Sequence, residues 1–419
     1  MQSYLKVFLL VLLLISCQNQ KDKPKEEKRI GLLGNVPATK LSFRLEADVP
    51  APSVEAEGWK QREISAKLSQ SDAFFPAVRE DFEKNRMEEV LDGTFVSPDG
   101  TRILALYHRP EDTEKQYRLD LYSKEGKLIK KITPEGLAVI YFPDTIAWSP
   151  DSKYFAFIAS ARLVATKPQE TLVPTPEPTP TEETSPLQTP AQPESTPAFR
   201  TEQIYICDSN GSALKPLTQN EGLIHFYLAW SPNSELLLAM ALTWREWELE
   251  RLQAQRKGEI FIPSGRPRVI EKSGRIRLLD DRKTQVLPVW SPDSSKIAAA
   301  FNTEICIYDA SGDLPTQASI PLRNQLLIAS QKYEEEIKKQ NQDGSSETEK
   351  NQATPTSDIG VTTLPKEEDL VSFNPIVRLL WLEDRILYFQ TGYVKEMLNP
   401  SESVRSFLRW HRIILSLQG

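Results

Sequence analysis

Between Phe95 and Ala300 the chain repeats one pattern of polar and apolar positions: a short apolar segment, a proline-containing polar turn, then an almost unbroken apolar run. The copies read FVSPDGTRILAL (Phe95–Leu106), AWSPDSKYFAFI (Ala147–Ile158), AWSPNSELLLAM (Ala229–Met240) and VWSPDSSKIAAA (Val289–Ala300). A shortened fifth, LWLEDRILYF, spans Leu380–Phe389. Recurrence at this interval marks a repeat architecture. Each turn of the four full copies carries Pro followed by Asp or Asn and then Gly or Ser, so it joins two strands tightly, while the fifth has lost the Ser-Pro and shortened its turn. The run after it (ILALY, YFAFIA, LLLAMAL, KIAAAF) has no polar face, which predicts a strand covered on both sides. A third strand follows as YRLDLYS (Tyr117), QIYICDS (Gln203), RIRLLDD (Arg277) and EICIYDA (Glu304), with a short fourth segment such as KLIKKIT (Lys127) or ALKPLT (Ala213).

The turn prolines lie 52, 82 and 60 residues apart, and Trp290 and Trp381 are separated by 91. Three insertions explain the long gaps. Residues 166–198 form a Pro/Thr/Glu/Gln tract with nine prolines, residues 244–272 include the charged WREWELERLQAQRKG, and residues 331–369 are acidic with a short helix expected over Ser330–Lys339. Without the first and last of these, 33 and 39 residues long, the gaps of 82 and 91 become 49 and 52, and the gap of 60 holds a smaller excess centred on Trp244–Gly258, so the unit is near 50 residues.

A four-stranded unit of that length with a doubly covered strand fits a propeller blade. The expected fold is all-β, a β-propeller of five readable blades and five or six in total. The phrase W-S-P-D-G/S-x-x-apolar-Ala resembles the WD40-like (PD40) repeat of TolB and its relatives, which also occurs in the propellers of prolyl oligopeptidases and tricorn. That resemblance implies a blade and says nothing of activity. It holds well from Asp92 to about Ile307 and loosely to Gly419. A sixth blade would have to come from Leu41–Leu91, where LSFRLEA could instead add one strand to the last blade and REDFEKNRMEEVL reads as helix.

The N-terminus changes the picture. Nine apolar residues, Val7–Ile15, are fewer than half of the roughly 20 needed to span a bilayer and fit a signal peptide over residues 1–16. Leu14-Ile15-Ser16-Cys17 resembles the bacterial lipobox, which implies that Cys17 is lipidated and becomes the mature N-terminus. Residues 17–40 then read as a polar tether, 41–91 as an N-terminal segment and 92–419 as the propeller. The expected place is the bacterial cell envelope, lipid-anchored and extracytoplasmic.

A net charge of -7 argues against nucleic acid as partner. Cys207 and Cys306, read as facing opposite sides of non-adjacent repeats, are expected to be buried free thiols. No H-E-x-x-H, P-loop, dinucleotide or G-x-S-x-G signature occurs, so neither metal nor cofactor is expected. No hydrolase domain is expected after the propeller either. His108, His225 and His411 are scattered and read as structural or surface residues. The turns at Asp208 and Asp309 lack the further ligands of a calcium loop. Trp148, Trp230, Trp290 and Trp381 recur once per repeat and are expected between blades. Trp244 and Trp247 stand outside the repeat and are the candidate contact surface, with a helix packed on its own blade as the plainer reading. The function expected is a non-catalytic scaffold binding a protein or envelope polymer. The alternatives are a propeller hydrolase or lyase with carboxylates at the channel mouth, or a solute or signal sensor.

Overall fold

The computed structural model describes residues 33–34, 36–53, 74–112, 116–161, 201–219, 222–312, 316–343, 370–397 and 404–417. The signal peptide, Cys17, the tract 166–198 and residues 344–369 lie outside them.

Five antiparallel sheets follow one another as blades. Blade 1 is β2 (Val90–Val96), β3 (Arg102–His108), β4 (Arg118–Ser123) and β5 (Leu128–Lys131). In blade 2, β6 (Leu137–Val139) and β7 (Ile146–Trp148) both pair with β8 (Tyr154–Ala161), followed by β9 (Glu202–Asp208) and β10 (Lys215–Pro216). Blade 3 holds β11 (Leu223–Trp230), β12 (Leu236–Thr243), β13 (Arg266–Glu271) and β14 (Ile276–Leu278). Blade 4 holds β15 (Val289–Trp290), β16 (Lys296–Phe301), β17 (Glu304–Asp309) and β18 (Gln317–Pro321). In blade 5, β19 (Leu370–Phe373) and β20 (Ile376–Glu383) pair with β21 (Ile386–Met397), then come β22 (Val404–Leu417) and, outermost, β1 (Leu41–Glu46). The protein is an all-β propeller.

The repeated phrase builds the joints. Second-strand residues alternate between the two neighbouring blades: Leu104 and Leu106 pack with Phe155 and Phe157, while Ala156 and Ile158 pack with Leu237 and Ala239. The tryptophans close the same joints. The indole Nε1 of Trp148, Trp230 and Trp290 donates to the carbonyl of Phe95, Ala147 and Ala229, one blade back, at 3.0–3.1 Å. The residue after Asp or Asn in each turn is left-handed: Gly100, Ser152, Ser234 and Ser294. Serine there is strained, since only glycine adopts this region freely. Its hydroxyl explains the choice. The Oγ of Ser152, Ser234 and Ser294 accepts the N–H of Asp99, Asp151 and Asn233 of the preceding blade, each at 3.0 Å.

Blade 1 has a different neighbour. Its Ile103, Ala105 and Tyr107 are covered by helix α1 (Pro76–Asn85) through Val78 and Phe82, and by Phe74 and Phe75 just before it. Arg86, just past the helix, lies over the rings of Tyr107 and Tyr122 and bonds the buried Asp120 at 2.6 Å. Val96, at the tryptophan position, is 45% exposed.

Four readings need correction. First, the tether does not extend to residue 40: Leu33 and Ala38 are buried. The buried Lys296 pairs with Asp309 at 2.9 Å and donates to the Leu33 carbonyl at 3.0 Å, while Asp309 accepts from Ala38 N–H. A buried ammonium needs such acceptors, and the incoming chain supplies one. Second, the third strand of blade 3 is β13, RPRVIE, and Arg277 belongs to the outer strand β14. The insertion therefore ends near Gly265, and a proline amid charged residues had hidden the strand. Third, helix α3 runs over Arg323–Asp343 and begins with Leu326 and Leu327 in the core. Fourth, Cys207 and Cys306 both face the preceding blade, because they lie one and three residues before their aspartates and so share a phase. Both are free and buried, and burial pushes their thiols up to about 12 and about 11.

Candidate functional site

In every blade the first strand runs toward the turn into the second, a Ser-Pro turn in the first four, so these turns collect on one edge of the propeller. Connections from second to third strand and entries into first strands collect on the opposite edge. That second edge carries the departures from the repeat.

Its main feature is helix α2 (Trp244–Lys257), inserted between β12 and β13. The sequence starts it with a capping box: Thr243 Oγ1 accepts from Glu246 N–H, and Glu246 reaches back to Thr243 N–H at 3.0 Å. Gly258 ends it in the left-handed conformation. Arg266 grips Glu246 with two bonds of 2.8 and 2.9 Å and, with the cap, lowers that carboxyl to about 2. Glu250 accepts from Lys283 at 2.8 Å and Ser264 at 2.6 Å, and these bonds hold it below the usual carboxylate range against the opposing effect of burial.

Trp247 is buried among Ile224, Phe226, Met240 and Leu242. It is the anchor of the helix on its own blade, so the plainer reading describes it. Trp244 is half-buried and stays at the margin. Two clefts of about 340 and 350 Å³ flank Trp247. The first is walled by Tyr117, Ile140, Tyr141, Phe142 and Trp244, with Glu202, Glu248 and Arg251 at its polar side. The second is walled by Phe142, Pro143, Phe226, Tyr227, Phe261, Ile262 and Leu287. Phe142 and Trp247 belong to both, with centroids 6.0 Å apart, and Phe261 meets Trp247 edge-on at 4.9 Å. Gly265 lets the loop return under this cluster, because a Cβ there would lie 2.6 Å from the Phe226 ring.

Around the clefts apolar side chains face solvent. Ile260 is 89% exposed, Ile262 56%, Phe142 46% and Leu287 41%. Phe142, Ile262 and Leu287 each stand immediately before a proline in an inter-strand connection. Proline biases the preceding residue toward extended backbone, and that shared position was the signal in the sequence that would have found them.

The histidines divide into two kinds. His225 and His411 are buried, and burial above all lowers both to about 4, leaving them neutral. His225 N–H donates to Glu202 Oε2 at 3.2 Å, and His411 Nε2 pairs with Thr391 Oγ1 at 2.9 Å. His108 pairs with Asp92 beside a separate polar cleft lined by Arg109, Gln116, Arg118, Lys131 and Glu135. Among the described residues no three His, Cys, Asp or Glu side chains gather as a metal set. Asp208 caps its own turn by accepting from Asn210 and Ser212 N–H. Chemically, the edge around α2 offers aromatic and aliphatic surface with its carboxylates already paired. No helix among the described residues is long and apolar enough to cross a membrane.

No family model and no curated protein matches the sequence. Solved structures similar to the chain include an oligogalacturonate lyase in complex with manganese, at 10% identity over 78% of this chain and 66% of that one, TM-score 0.34. Dipeptidyl peptidase 4 of Porphyromonas gingivalis is similar at 10% identity over 75% and 38%, TM-score 0.36. Prolyl oligopeptidase B of Galerina marginata is similar at 10% identity over 90% and 47%, TM-score 0.34. The chain spans less than two thirds of the length of each.

Proposed function

We propose that the chain is a TolB-like, lipid-anchored propeller of the bacterial envelope that binds a protein or envelope component through the edge around α2 and catalyses nothing. The observation that carries this reading is the exposed apolar group Phe142, Ile260, Ile262 and Leu287 around two aromatic clefts. Apolar groups of this kind, rimmed by charge, mark interaction surfaces, and loops on a rigid scaffold carry recognition. The lipobox-like Leu14–Cys17 supports attachment through Cys17 to a membrane on the extracytoplasmic side. Of the carboxylates at the first cleft, Glu248 is paired with Arg251 at 2.8 Å and Glu202 accepts the His225 N–H, which leaves them ill suited to acid–base work.

Two variants test the two halves. Cys17→Ser is expected to move the protein from the membrane fraction to the soluble one; retention in the membrane overturns the anchor. Ile262→Asp with Leu287→Asp is expected to abolish co-purification of the partner after cross-linking in cells, with the unfolding midpoint unchanged. Undiminished co-purification overturns the binding edge. An enzymatic reading would rest on the Asp92–His108 pair, and it requires Asp92→Asn to abolish a turnover that the parent protein shows.

A further inference from the structure

The clefts beside α2 have an occupant in this chain. We infer that the proline-rich tract, residues 166–198, lies as an extended segment in the aromatic clefts formed by Tyr141, Phe142, Trp247, Phe261, Ile262 and Leu287. This rests on reading that edge as a binding surface and names the chemistry it takes: a proline-rich, acidic, extended peptide.

Three observations point there. The described residues on either side of the tract stand next to the first cleft. On one side Ala161 pairs with Leu137, two residues before the cleft residue Val139. On the other, Thr201 accepts Gly222 N–H at 3.2 Å and lines a recess with Trp244 and Arg245, and Glu202 lines the first cleft itself. The length suffices: an extended proline-type helix advances about 3.1 Å per residue, so a dozen residues cover roughly 37 Å. Composition matches as well. Pro174, Pro176, Pro178 and Pro180 alternate along the tract. Proline brings no N–H that an apolar cleft would leave unpaired, and its fixed φ reduces the entropy lost on docking. Proline-rich segments are recognised in aromatic-lined grooves for these reasons. The tract carries five glutamates and one lysine, and Arg245 stands with Thr201 at the recess beside its C-terminal end.

The test compares two full-length proteins, the natural chain and one whose residues 162–200 are replaced by a Gly/Ser segment of equal length. A fluorescent peptide of residues 171–198 is titrated into each and followed by anisotropy, with unchanged unfolding midpoints certifying the fold. The peptide is expected to bind the replaced chain and to bind the natural chain at least ~10-fold more weakly, because a tethered competitor acts at an effective concentration on the order of millimolar. Phe142→Ala in the replaced chain, or a peptide with every proline changed to alanine, is expected to lose that binding. No binding to the replaced chain, or equal affinity for both chains, overturns the inference. Equal affinity would mean that the cleft takes such peptides only from another molecule. If the peptide fails to bind while Ile262→Asp with Leu287→Asp still removes the partner, the internal occupant is wrong and the binding edge stands.

Discussion

The two edges of this propeller are built on opposite rules. On the turn edge the second, third and fourth copies solve the same problem in the same way: Ser-Pro-Asp/Asn turns, a left-handed serine bonded to the blade before, an indole bonded to the strand before. On the other edge no two blades agree. Blade 3 sends out α2, blade 2 sends out the proline-rich tract, and apolar side chains stand in water around Trp247. The difference teaches that recurrence reports packing, and that interruption marks where surface has been spared for something else.

The largest contrast is expected from one deletion on each edge. Trp230→Ala empties a buried joint and strands the Ala147 carbonyl, costing about 3–5 kcal/mol in urea unfolding. Phe142→Ala, half-exposed on the other edge, is expected to cost under about 1 kcal/mol. Equal costs would erase the distinction.

Acid should come next. His225 and His411 are neutral when folded, with values lowered from 6.5 to about 4. Unfolded chains bind protons below about pH 6.5 while the folded protein does not until about pH 4. Stability is therefore full above 6.5 and is lost as pH falls through that window, by roughly 3 kcal/mol per histidine. His225→Gln is expected to flatten the slope of urea midpoints between pH 6.5 and 4; an unchanged slope contradicts it.

The left-handed serines give a smaller and more pointed test. Ser234→Ala removes the bond to Asp151 N–H and keeps the strain, so about 1–2 kcal/mol should be lost. Ser234→Gly removes the same bond and relieves the strain, so it should be near neutral. The first copy, which has helix α1 as its neighbour where the others have a preceding blade, carries Gly100 at this position. The smallest effect belongs to Glu246→Gln, about 1 kcal/mol, seen as faster amide exchange confined to α2. Because Glu246 is depressed to about 2, its contribution is present above about pH 4.5 and fades toward 2.

How far the sequence could be read follows from the same contrast. Turn chemistry and the doubly covered strands depend on neighbours a few residues apart, so four blade phrases were visible directly. The third strand of blade 3 was misread because Arg277 lies in a phrase that imitates the others better than RPRVIE does. Burial of Leu33 and Ala38 depends on Lys296 and Asp309, which lie more than 250 residues away. The clefts assemble Phe142, Trp247 and Phe261 from two connections of different blades, and no local pattern in the chain announces that meeting.

The central claim, that recognition belongs to the edge around α2, is tested most directly by photo-cross-linking in intact cells. A photoreactive residue is placed singly at Ile260 or Leu287 on that edge, and at Lys153 or Glu235 beside the Ser-Pro turns. The account predicts one discrete adduct, the same from both positions around α2, and none from the turn edge. Adducts arising from the turn edge, or equally from both edges, would contradict it.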